Sequence, residues 1–178
     1  MIEFLKNNFL YITAILTGAK WVYEYSNKLK WEKNKFLLDR LEIFFNDNNT
    51  KNIHLMLDWN KIKIKSDGVE YKINDDIIFE ALQTHDVKHT FDTTEIYIRG
   101  AFDEYFDKLN EFIILYDAGM ISEKSLRSFL RYWIDILKGK KKSKSKTLIN
   151  QFSKYLDFYG YRELNSFIKK DKTYIFNF

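Results

Sequence analysis

Residues 7–23, NNFLYITAILTGAKWVY, hold a single charge, Lys20, in seventeen positions. A run this apolar has to be covered by the protein's own core, by lipid or by copies of itself. As a helix it spans about 25 Å at 1.5 Å per residue, short of a hydrocarbon core of about 30 Å. Extension to Phe4 and Tyr25 closes the gap, because Lys6, Lys20 and Glu24 sit near the ends and lysine can snorkel. Tyr11 stands in the first half, and Trp21, Tyr23 and Tyr25 gather at the C-terminal boundary, where an aromatic belt belongs. Lys28, Lys30, Lys33, Lys35 and Arg40 follow the run, against Lys6 before it, which places the N-terminus outside and the rest in the cytoplasm. The expectation is a single-pass anchor over residues 1–25 in a bacterial inner membrane, with membrane lipid as a partner. A juxtamembrane helix over 26–45 and a cytosolic helical domain over 46–178 follow. The competing readings are a buried first helix of a soluble domain and a helix lying in the membrane interface. A cleaved leader fits poorly, since Glu3 sits in the n-region and, although Ala14 and Gly18-Ala19 are small, Lys20-Trp21 is a poor place to cut.

At 100° per residue, Lys6, Thr13, Thr17, Lys20 and Glu24 fall on one narrow stripe, with Leu10 its apolar member. In lipid such a stripe faces protein or water. Several copies of the chain would satisfy it, so a homo-oligomer is expected. Thr13, Thr17 and Lys20 are the candidates for the helix interface or for lining a narrow pore.

The remainder reads as mainly α. Proline is absent and only six glycines occur, which favours long helices joined by polar turns. There is no cysteine, so disulfides and thiolate metal sites are excluded. Abundant Lys, Asn, Ile, Tyr and Phe fit an AT-rich bacterial genome, and in that setting a net charge of +4 is modest. Helix continues over 26–45, ended by Asn46-Asp47-Asn48-Asn49, and a short helix fits 50–59. Strict alternation in Lys61-Ile62-Lys63-Ile64-Lys65 and again in 69–73, around Ser66-Asp67-Gly68, predicts one small β-hairpin over 61–73. Alone it would be marginal, so it has to lie on the helical body or pair with another chain. Asn74 or Asp75 caps a helix to about Gln83. A helical hairpin over 94–138 follows: Phe102, Phe106, Leu109, Phe112, Ile113 and Tyr116 make one stripe, Gly119 stops that helix, and Ser122 caps the next. There Leu126, Phe129, Leu130, Trp133, Ile134 and Leu137 form the facing stripe. Two C-terminal helices over 146–170 flank Gly160.

KGKKKSKSK, residues 138–146, holds six lysines in nine positions and reads as an exposed, mobile basic linker. Lys138, Lys140, Lys141, Lys142, Lys144 and Lys146, with Arg127 and Arg131 on the preceding helix, are the candidate residues for an anionic ligand. A lysine cluster suits phosphates without base specificity, so a nucleic acid, a nucleotide ligand or lipid headgroups would fit. His85-Asp86-Val87-Lys88-His89 spaces two histidines for one metal on a helix, with Asp92 as a third donor, but lacks the glutamate of a zincin and a fourth ligand; a polar loop is the better reading and no metal is expected. There is no glycine-rich phosphate loop, no nucleophile elbow and no paired carboxylates in a plausible cleft, so neither an enzyme nor a cofactor is expected.

The opening run into WVYEYSNKLKWEKNKFLLDRL, followed at 102–137 by FDEYFDKLNEFIILYDAGMISEKSLRSFLRYWIDIL, resembles a bacterial family of small membrane-anchored helical proteins of unknown function. The layout is also similar to the membrane channel effectors of antiphage systems of the Hailong type. The resemblance implies a membrane-embedded oligomeric effector, an ion channel or membrane-disrupting protein, gated by a cytosolic domain that binds an oligonucleotide made by an adjacent nucleotidyltransferase. It carries no active-site residues across. The alternative is a soluble or peripheral helical module that binds nucleic acid or a protein partner.

Overall fold

The computed structural model describes residues 2–66 and 68–170, with the backbone alone at 2–7 and at Leu10. Asp67 of the expected turn, the Lys6 and Leu10 side chains of the stripe, and residues 171–178 of the expected cytosolic domain lie outside what is described. The chain divides between Leu41 and Glu42 into two compact units.

The first unit consists of helix α1 (Ile2–Asn46) up to Leu41; the helix runs unbroken through the boundary expected at residue 25. Every residue from Tyr11 to Tyr25 is exposed. Thr13 Oγ1 donates to Phe9 O and Thr17 Oγ1 to Thr13 O, each at 2.8 Å, and Lys20 pairs with Glu24 at 3.8 Å. The polar stripe thus satisfies its donors within its own helix. Among the described residues no helix is long and apolar enough to cross a membrane. In α1 the deficit is apolarity, not length: Thr13, Thr17, Gly18, Lys20 and the polar-tipped rings of Tyr11, Trp21, Tyr23 and Tyr25 dilute the aliphatic residues.

The second unit is a helical body carrying one hairpin. The end of α1 enters it with Phe44, whose buried ring meets Tyr105 and Phe112 at 5.6 and 5.5 Å between centroids. Asp47 caps helix α2 (Asn48–Asp58) by accepting from Thr50 N, and Ile53, Met56 and Leu57 turn inward. Strands β1 (Lys61–Ser66) and β2 (Val69–Asn74) pair antiparallel, with Ile62 opposite Ile73 and Ile64 opposite Tyr71. Ile64 and Ile73 are buried while Lys61, Lys63 and Lys65 are exposed, as the alternation requires. Tyr71 stacks on Tyr97 at 4.3 Å, so the hairpin lies on the helical body, one of the two options open to so small a sheet.

Asn74 caps helix α3 (Asp75–Ala81). Helix α4 (Thr93–Asp117) starts on a reciprocal capping box between Asp92 and Glu95 and forms the centre of the unit, packing on α2 and α3. Its Ile98, Phe102, Phe106 and Leu109 are buried, each contributing about 1.5–3 kcal/mol over exposure, and Tyr105 is buried with them. Gly119, at φ 68°, ends it in a Schellman turn: Gly119 N–H donates to Tyr116 O and Met120 N–H to Leu115 O. Helices α5 (Glu123–Leu137), α6 (Lys146–Phe158) and α7 (Arg162–Lys170) complete the body. Phe152 and Tyr155 of α6 meet Phe102 and Phe106 of α4, and α7 packs against α4. The expected helical hairpin is present as two consecutive helices, but α4 packs more on α2, α3 and α7 than on α5, and α5 rests equally on α2.

Candidate anionic-ligand groove

Ser122 accepts from Ser125 N and starts α5, whose Leu126, Leu130, Ile134 and Leu137 are buried. The expected inward stripe is corrected at two places. Phe129 is 41% exposed, and Trp133 is only half-buried, stacked on His54 of α2 at 3.5 Å. Ile136 is buried in their stead. Phe129 and Ile136 lie two turns apart on nearly the same side of the helix, so burial here depends on which height along α5 is covered, and periodicity carries no such information.

The helix ends in a second Schellman turn. Gly139, at φ 69°, lets its own N–H donate to Ile136 O and the Lys140 N–H to Asp135 O. The chain folds back, and the Lys141 ammonium comes to 5.6 Å from the Tyr132 ring. With Lys124, Arg127, Ser128, Phe129 and Arg131 these two line an open groove of about 990 Å³. Lys124, Arg127, Arg131 and Lys141 face it; Glu123 pairs with Arg127 and Asp135 with Arg131, so the excess positive charge of the surface comes to that of Lys124 and Lys141.

The groove is held by local pairs. Arg127 donates through Nε to Glu123 Oε1 at 2.8 Å, and Arg131 Nε stands 3.6 Å from Asp135 Oδ2. Tyr132 donates its hydroxyl to Asp58 Oδ1 at 2.5 Å, and that bond, with burial, pushes its ionisation above the ordinary tyrosine value. The phenol is thus a neutral ring with a fixed orientation. Ser128 Oγ donates to Lys124 O of its own helix, which makes it part of the helix and not a nucleophile served by a base. The arrangement can hold an anion bearing a planar group.

Of the expected ligand residues, Arg127, Arg131 and Lys141 meet in this groove. Lys142 and Lys146 are exposed outside it, Lys138 lies 5.4 Å from the Phe167 ring, and Lys140 pairs with Asp135 at 3.6 Å. Lys144 is a correction, as is the exposed, mobile linker at that point. Its side chain is fully buried, donating to Trp59 O at 2.8 Å and Asp75 Oδ1 at 2.6 Å. Two acceptors on separate elements satisfy the ammonium and pin the loop, so this lysine faces no ligand. Lys124, Phe129 and Tyr132 escaped the sequence reading; helical spacing linked Lys124 to Ser128 and Arg131, but nothing distinguished exposed rings from core rings.

A second, smaller cleft of about 560 Å³ involves α4, α5 and α7. Asp117, Glu123 and Glu163 balance Arg127, Arg162 and Lys170 there, so it selects for no sign of charge.

Arg99 of α4 forms a polar centre that the sequence did not reveal. Its buried guanidinium donates to Ala81 O, Gln83 O and Tyr159 Oη, each at 2.7 Å, and lies 4.3 Å from the Phe91 ring. Tyr159 Oη also meets His85 Nδ1. Alongside, Gln151 Nε2 donates to Leu82 O, so three successive carbonyls at the end of α3 are capped from α4 and α6. Tyr155 donates to Asp103, whose carboxyl is pushed up mainly by burial. His85 is therefore engaged in this clamp, and no group of three or more metal-ligating side chains exists among the described residues.

Compared with models of known families, with curated proteins and with solved structures, the chain matches none.

Proposed function

We propose that the protein is a membrane-embedded oligomeric effector: α1 associates with copies of itself in a bacterial inner membrane, and the helical unit biases that assembly by binding an anionic ligand. One observation carries the reading. Phe9, Ile12, Ile15, Leu16, Trp21 and Val22 are each more than half exposed, and over residues 9–25 of α1 the polar positions Thr13, Thr17, Lys20 and Glu24 fall on one stripe while apolar, aromatic and small residues occupy the rest of the circumference. A soluble coiled coil needs one apolar seam; a rod apolar over roughly 300° of its surface is matched to hydrocarbon. The stripe is one source of the shortfall of apolarity in α1, beside Gly18 and the polar-tipped rings, and facing stripes between copies removes that part from lipid. The ligand acts through its different affinity for the packed arrangements. Ion conduction or membrane disruption is the output, and a role in antiphage defence beside a nucleotidyltransferase rests on the resemblance of layout alone.

The shortfall in apolarity favours a second reading, a peripheral helical module binding nucleic acid or a protein. Fractionation separates the two. The full chain is expected to stay with carbonate-washed membranes and to leave them only in detergent. Because the chain has no cysteine, Thr17→Cys is expected to cross-link between copies under mild oxidation, and Ile15→Cys on the opposite face is not. A chain that remains soluble without detergent refutes the membrane reading.

A further inference from the structure

We infer that the outer edge of β1 is a docking site for an extended, acidic segment of another protein. The segment adds to the hairpin as a third, antiparallel strand and sets a carboxylate opposite each of Lys61, Lys63 and Lys65. This goes beyond the proposed function and does not depend on the membrane reading of α1.

Only two residues separate Ser66 from Val69, so that pair closes the hairpin and exchanges both backbone bonds. Bonded and non-bonded pairs alternate, which makes Ile64 opposite Tyr71 and Ile62 opposite Ile73 the other bonded pairs. Lys61, Lys63 and Lys65 therefore turn their N–H and C=O away from β2. The sheet stops at two strands, and among the described residues none bonds to those outward groups. Such an edge is a template for one more strand.

Charge selects the occupant. The side chains of the same three lysines are exposed, spaced about 6.8 Å along the strand. Lys72, opposite Lys63, joins them on that face, where Glu70 is the acid. Glu70 stands 3.4 Å from Lys63, but both side chains are more than half exposed, so the pair is weak and exchangeable. No acid pairs with Lys61, Lys65 or Lys72 among the described residues. A second copy offering its own β1 would set lysine against lysine, and the outward residues of its β2, Glu70, Lys72 and Asn74, bring one acid to three lysines. Lysines on an edge keep out neutral and basic strands, and the same charges admit an acidic one. The residues between the acids fall on the face of Ile62, Ile64 and Tyr71, which the Tyr71–Tyr97 stack turns to the helical body. The matching segment thus alternates acid with aliphatic, the counterpart of KIKIK. A nucleic acid would meet the lysines and leave the backbone edge unbonded.

The test is fluorescence anisotropy on the full chain, in nonionic detergent or in plain buffer as its solubility dictates. The probe is a fluorescein-labelled peptide of about eight residues, alternating glutamate and valine, long enough to run the length of β1. A peptide of the same composition with its glutamates in one block is expected to bind about tenfold more weakly, because it cannot face all three lysines. N-methylation of the glutamates, whose N–H groups meet β1 in the antiparallel pairing, is expected to cost about tenfold as well. On the protein, Lys61→Glu with Lys65→Glu is expected to weaken the acidic peptide by about tenfold and to admit a peptide alternating lysine and valine. The exposed pair Lys142→Gln with Lys146→Gln, outside the sheet, should change affinity less than about threefold. Hydrogen exchange read by NMR supplies the backbone signature: the amides of Lys61, Lys63 and Lys65 are expected to slow when the peptide binds. Equal binding of the block or N-methylated peptide, no slowing at those amides, or a single-stranded DNA competing as well as the peptide would overturn the inference and leave a patch that reads charge alone. A changed oligomeric state of the Lys61→Glu, Lys65→Glu chain in sedimentation would assign the edge to a second copy and overturn it too. The peptide and exchange measurements use the unaltered chain, so they decide the question even if a variant fails to fold.

Discussion

Lys144 is one of six lysines in a nine-residue run, yet its replacement should cost more stability than that of its neighbours. Its ammonium is fully buried and donates to Trp59 O and Asp75 Oδ1 at 2.8 and 2.6 Å, tying the 138–145 loop to the end of α2 and the start of α3. In Lys144→Met the aliphatic stem survives and both charge-assisted bonds vanish. Breaking a fully buried pair costs about 3–5 kcal/mol. The Asp75 side chain is 23% exposed and rehydrates in part, which lowers the expected loss to roughly 2–3 kcal/mol. For a chain of this length that is a fall in Tm of about 4–12 °C. Lys142→Met, at an exposed position in the same run, should change Tm by less than about 2 °C. Thermal unfolding of the full chain followed by circular dichroism reads both. Equal melting temperatures for the two variants would mean that the loop is not pinned and that Lys144 belongs with the solvated lysines after all.

The Arg99 clamp predicts that Arg99→Lys is not conservative. One ammonium cannot span Ala81 O, Gln83 O and Tyr159 Oη or stack on Phe91, so a loss of roughly 2–4 kcal/mol is expected in urea unfolding, and a loss below about 1 kcal/mol would refute the clamp. His54, stacked on Trp133, has its ionisation lowered by burial from 6.5 to about 4. Between those values the unfolded chain takes up a proton that the folded chain refuses, so stability falls as pH drops from about 6.5 towards 4. His54→Gln should flatten that part of the profile, measured as urea midpoints at neutral and mildly acidic pH; an unchanged slope would place the titration elsewhere.

Sequence alone settled what neighbouring residues settle between themselves. Ser122 caps the helix that follows it, Asn74 does so as one of the two caps the sequence offered, Gly119 ends α4 in the left-handed conformation its missing Cβ allows, and alternation over 61–73 makes a hairpin. The caps and the turn rest on bonds spanning three to five residues, and the hairpin on pairs no more than 13 residues apart, so local chemistry is sufficient. The candidate site was half legible by the same standard: Arg127, Arg131 and Lys141 announce themselves by charge. Lys141 reaches the surface of α5 beside Tyr132 only because the Gly139 turn aims the chain back. Tertiary structure alone decided which of six similar lysines is buried, why Phe129 is exposed where Ile136 is not, and that Arg99 closes the end of α3. Burial depends on which distant element arrives at a given height on a helix, and that information is distributed over the whole chain and absent from any window of it.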